Sequence, residues 1–144
     1  MRSFREVVLE TGIIGGVLFV AHASIPYSNS WPMIWPVLAG ATAFWLATRA
    51  PNPHRLWTGM KASLAGGLLM AAIVFVGLSI VIYIALHSDL VVAMQQSRGA
   101  SGVISAAGSF AIAGSLALID LIIACVAGLL VLPVRYFQLR HARA

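Results

Sequence analysis

VISAAGSFAIAGSLALIDLIIACVAGLLVL, residues 103–132, runs for thirty positions with one charged side chain, Asp120. A hydrocarbon core about 30 Å thick is crossed by about 20 apolar residues of helix, so this stretch is longer than a crossing needs. The excess implies tilt or extension beyond the bilayer. Three further apolar runs lie N-terminal to it: Val7 to Ile25, Pro32 to Thr48, and Ala62 to Leu86. The second is the shortest and carries Pro32 and Pro36 in its first turns. These four segments (7–25, 32–48, 62–86, 103–132) predict an all-α integral membrane protein: a four-transmembrane-helix bundle forming one membrane domain over residues 1–144.

Composition argues the same way. The chain is 60% hydrophobic and 9% charged, with a mean hydropathy of +0.95. A soluble domain carries about 25% charged residues because its surface faces water. Nine Lys and Arg with four Asp and Glu cannot cover such a surface. The net charge of +5 does not point to nucleic acid, because the basic residues stand beside the apolar runs. The single cysteine, Cys125, excludes an intrachain disulfide and a Cys-rich metal site, and reads as a small packing residue.

Charge placement sets an expected orientation. Arg2 and Arg5 precede the first run, Arg49, Arg55 and Lys61 lie between the second and third, and Arg135, Arg140 and Arg143 follow the fourth. An even number of crossings puts all three groups on one side, leaving only Arg98 opposite. Basic residues near membrane segments accumulate in the cytoplasm, so both termini are expected there, in a bacterial inner membrane. Ala21-His22-Ala23 resembles a signal-peptidase site, but Glu10 interrupts the apolar stretch before it, and the segment reads as a retained helix. Tyr27, Trp31 and Trp35 mark outer helix ends, and Trp45, Trp57 and Tyr136 inner ones. Within the linker from Ser88 to Gly102, Leu90 to Met94 has the character of a short interfacial helix.

Small residues predict where helices approach. Gly12 and Gly16 form a G-x-x-x-G pair, and Ser105, Ser109, Ala113 and Ala117 repeat every fourth position, with Gly114 beside them. Ser63 and Gly67 offer a similar face on the third helix. Such faces serve either the chain's own bundle or contact with a second copy or another membrane subunit.

Few polar groups fall within the runs. Asp120 lies near mid-membrane, where a central Asp costs roughly 2.5–3.5 kcal/mol on insertion scales. That cost has to be reduced by facing away from lipid, by pairing, or by protonation. Glu10 lies about one turn inside the first helix, where it could reach the headgroups, pair with Arg5, or stand with Asp120 as a proton, ion or partner contact at the cytoplasmic mouth of a pathway. His22 and His87 stand near outer helix ends, where two imidazoles on facing helices could ligate a haem.

Trp31-Pro32 and Phe44-Trp45-Leu46 resemble the second helix of the small multidrug resistance transporters, which implies a comparable small-bundle architecture. The acidic residue of the first helix, Glu10, stands closer to the interface than that family's pattern, and the basic bias is stronger. No nucleophile–base set or metal-ligand spacing suggests an enzyme. The leading expectation is a non-catalytic accessory or structural subunit acting through helix packing in a homo-oligomer or membrane complex. The alternatives are a small proton-coupled transporter or channel using Asp120, and a haem- or pigment-associated subunit.

Overall fold

A computed structural model describes residues 2–25, 31–49, 54–86, 88 and 106–141. The described residues form four helices and no strand: α1 (Phe4–Ala23), α2 (Ile34–Ala47), α3 (Arg55–Leu86) and α4 (Ala106–His141). Three of them, α1, α3 and α4, are long and apolar enough to cross a membrane. With 14 residues, α2 spans roughly 21 Å at 1.5 Å per residue, short of a full crossing by itself.

Each boundary has a local cause. In α1 the Ser3 hydroxyl accepts from the Glu6 amide at 3.2 Å while the Glu6 carboxylate accepts from the Ser3 amide at 2.6 Å. This reciprocal cap starts the helix three residues ahead of the expected Val7. Ile34 rather than Pro32 opens α2, and Pro36 sits in its first turn, where an amide has no helical partner to lose.

The largest departures are in the long helices. The apolar run suggested that α3 begins at Ala62, yet it begins at Arg55, because Arg55 to Lys61 holds no proline after Pro53 and the helix passes through Gly59. Likewise α4 continues to His141 rather than stopping at Leu132. Pro133 lies inside it and cannot donate to the Leu129 carbonyl, but the helix passes through. Apolarity ends where the polar zone begins; helicity does not have to.

The four helices alternate in direction. Along α1 and α3, Gly12 meets Leu69, Gly16 meets Ile73 and Val20 meets Gly77, so these two run parallel. Gly40 meets Ala124 and Thr48 meets Arg135, so α2 and α4 also run parallel. Trp35 of α2 bonds to His22 of α1, which makes that pair antiparallel. The start of α1, the end of α2, the start of α3 and the end of α4 therefore gather at one end of the bundle. With them gather the basic residues there: Arg2, Arg5, Arg49, Arg55, Lys61, Arg135 and Arg140.

In cross-section the arrangement is a rhombus. Contacts join α1 to α2 and α3, and α4 to α2 and α3, while α1 and α4 do not touch among the described residues. The core mixes alanines with a few large side chains, and its larger cluster holds Phe19, Ala39, Met70, Val74, Leu78, Ala113 and Ala117. Val7, Ala43, Ala47 and Ala62 form a second cluster toward the basic end. Bulky residues such as Ile14, Val76, Ile84, Leu118 and Leu130 point outward.

Candidate functional site

Most hydroxyls in the helices satisfy themselves. Thr11 donates to the Val7 carbonyl at 2.7 Å, Ser79 to Phe75 at 2.6 Å and Ser115 to Ala111 at 2.8 Å, each one turn back. Ser63 is different. Its hydroxyl leaves its own helix and donates to the Gly40 carbonyl on α2 at 2.8 Å. Gly128 of α4 covers the same hydroxyl so closely that an added Cβ would overlap it. Ser63, Gly40 and Gly128 thus form a joint where α2, α3 and α4 meet. At Gly40 the approach is tighter still: a Cβ would overlap the backbone carbonyl of Ala124.

The buried face of α4 passes through this joint. Ala113, Ala117, Asp120, Ala124, Ala127 and Gly128 are buried along it, at the three- and four-residue spacing of one helical stripe. Asp120 is thus the one acidic member of a stripe otherwise made of Ala and Gly. Because α4 touches only α2 and α3, the carboxyl lies in the seam between those two helices. It lies between the Gly40–Ala124 crossing and the cluster holding Ala117, Met70 and Val74. Its exposure is 0%, and neither Oδ1 nor Oδ2 has a hydrogen-bond partner among the described residues. A buried polar group left in this way costs about 1–3 kcal/mol by mutational measures. Buried polar groups are bonded in the great majority of cases, so an unbonded carboxyl is an exception with a cost.

The other expected site residues are scattered. Glu10 forms an ion pair, but with Arg2 rather than Arg5, at the exposed basic end of α1. The extended start of the helix brings Arg2 back along the α1 surface to reach it. His22 accepts at Nδ1 from the Trp35 Nε1–H at 3.0 Å, with the rings edge to face. This joins the far ends of α1 and α2 and engages one of the two ring nitrogens a haem could use. His87, Ser105 and the side chain of Ser109 lie outside the described residues, as does the segment Leu90 to Met94. Among the described residues no three His, Cys, Asp or Glu side chains come together.

The small residues are largely taken up within the chain. Gly12 and Gly16 lie against Leu69 and Ile73 of α3, where an added Cβ would come within 2.9 and 2.8 Å. Ala113 and Ala117 belong to the core. Gly114 is looser: its Cβ would meet Phe75 at 3.7 Å, an ordinary contact.

Charge counting at the sequence level missed the role of Arg135. Its Nε donates to the Thr48 hydroxyl at 3.1 Å and its Nη2 to the Thr48 carbonyl at 3.4 Å. Nη1 reaches Gln138 at 3.0 Å, and the guanidinium lies 4.9 Å from the centre of the Trp45 ring. Thr48 is the fully buried C-cap of α2, so a cation sits where that helix presents unpaired carbonyls and its negative dipole end. Arg135→Ala is expected to lower stability by about 2 kcal/mol, since hydrogen bonds to charged groups contribute roughly 1.5–3 kcal/mol. Arg135→Lys should restore only part of this, because an ammonium cannot present the guanidinium fork. Unfolding by SDS titration in mixed micelles would measure both. An alanine variant as stable as the parent would show that the cap carries no energy.

The chain matches no family model, no curated protein and no solved structure.

Proposed function

We propose that this chain is a four-crossing membrane protein with a cytoplasmic basic end, acting as a small proton-coupled transporter or channel through Asp120. The observation carrying this reading is the fully buried carboxyl with neither oxygen hydrogen-bonded among the described residues. A charged side chain at mid-membrane is costly and by default a functional candidate. Here the usual structural reason for keeping one, a hydrogen bond across helices, is supplied by Ser63 instead. A carboxyl free of partners can take and release a proton without breaking a bond between helices. The seam between α2, α3 and α4 would then open alternately to the two sides.

The gathering of basic residues at one end, with the positive-inside rule, supports this orientation. A reporter fused after residue 144 reads it: activity on the outer side would reverse the assignment. On this reading α2 crosses with the help of flanking residues or local thinning, because its helix alone is short. An accessory subunit assembled through small-residue faces ranks second, because Gly12, Gly16, Ala113 and Ala117 use those faces internally.

The test is proton movement into proteoliposomes carrying an entrapped pH dye, under an imposed potassium–valinomycin potential. The parent chain should acidify the lumen faster than protein-free liposomes. Asp120→Asn, expected to fold but unable to exchange the proton, should fall to the protein-free rate. Equal rates for parent and variant would overturn the proposal.

A further inference from the structure

Near the basic end, α3 and α4 flank an apolar groove of about 370 Å³ whose walls include Met60, Leu64, Cys125 and Leu129. Its floor is closed by Ser63 and Gly128, the residues of the three-helix joint. At its mouth stand Trp57, which is 57% exposed, and Lys61, whose ammonium lies 5.5 Å from the centre of the Trp57 ring. We infer that this groove binds one anionic phospholipid of the surrounding bilayer, its acyl chain between α3 and α4 and its phosphate on Lys61.

Charge identifies the occupant. The chain holds four acidic residues. Of the three that fall among the described residues, Glu6 caps α1, Glu10 pairs with Arg2 and Asp120 is buried in the seam; Asp89 lies outside the described residues. None of these three is placed to neutralise Lys61, and the one ion pair among the described residues is that of Arg2 and Glu10. A compact ammonium held at an aromatic face above an apolar slot is complementary to a lipid phosphate above an acyl chain. Trp57 has the amphipathic character suited to headgroup depth.

The larger groove between α2 and α4 makes a useful contrast. Trp45 lines it, but the cation over that ring, Arg135, is engaged with Thr48 and Gln138. That groove offers a chain slot without an available charge. Of these two grooves, the α3–α4 groove joins both features.

This inference rests on the membrane reading above and fails separately from it. Flotation with liposomes first tests insertion: a chain that does not float overturns both. Native mass spectrometry from mild detergent, with equal phosphatidylglycerol and phosphatidylcholine added, then tests the headgroup. The parent chain should retain phosphatidylglycerol at least about fivefold over phosphatidylcholine, the factor equivalent to about 1 kcal/mol per basic residue near an anionic surface. Lys61→Gln should remove that preference and Lys61→Arg should keep it. Leu129→Trp, at a half-exposed position in the groove wall, should fill the slot and reduce retention of both lipids. A floating chain without headgroup preference, or Lys61→Gln with an undiminished one, would overturn the inference alone.

Discussion

Gly40→Leu is expected to abolish the folded bundle. A side chain at this position meets the backbone of Ala124, not the movable end of another side chain. Overpacking a core by a few methylenes costs about 1–3 kcal/mol when neighbours can rotate away. A backbone carbonyl within a helix cannot, so α2 and α4 must separate along their whole contact. The separation would also pull the Gly40 carbonyl from the Ser63 hydroxyl at 2.8 Å and loosen Thr48 from Arg135. The expected cost is therefore above the upper end of that range, about 3 kcal/mol or more. Size-exclusion profiles and SDS titration should show aggregation or early unfolding, with Gly40→Ala already impaired. Gly114→Leu is the internal control, since its Cβ has ordinary clearance from Phe75. If both leucine variants behave alike, the close crossing of α2 and α4 is not what holds the bundle together.

Asp120→Ala should have the opposite sign. The residue occupies a stripe of alanines, between Ala117 and Ala124, so alanine suits the space left by its neighbours. Removing a carboxyl that makes no hydrogen bond relieves about 1–3 kcal/mol of desolvation cost, less a smaller amount for the void left behind. A net gain of about 1 kcal/mol is expected by SDS titration. The same variant should carry no protons in the liposome assay, so that stability and activity move in opposite directions. A loss of stability would mean that the carboxyl supports the bundle through a bond, and the transport reading would lose its principal support.

The sequence made some of this visible for clear reasons. Four apolar runs were evident because a helix crossing lipid must be apolar over most of its length, and the helices lie where the runs lie. Their ends were harder to place: Lys61 and Pro133 mark where apolarity fades, whereas α3 starts before the one and α4 continues past the other. Gly12 and Gly16 announced a close approach but not its partner, since spacing on one helix says nothing about which neighbour fills it. Asp120 was conspicuous from its depth alone. That its oxygens would lack partners was not legible, because Ser63 had to be seen turning to Gly40 instead. The Ser63–Gly40–Gly128 joint draws one residue from each of three helices, and no periodicity along one chain segment connects them. Arg135 was counted as one more positive charge, and its role as a helix cap depends on α4 continuing past Leu132 so that Arg135 comes beside Thr48.

The separation of α1 from α4 bears on how the protein is made. During synthesis α1, α2 and α3 all precede α4, and the contacts among these three are complete without it. On the proposed membrane reading, the two walls of the Asp120 seam, α2 and α3, can therefore be standing in the bilayer when the last helix leaves the ribosome. The segment with the costliest side chain arrives when a protected berth already exists. With the order reversed, a membrane-inserted α4 would hold the same carboxyl in lipid until its shelter was translated.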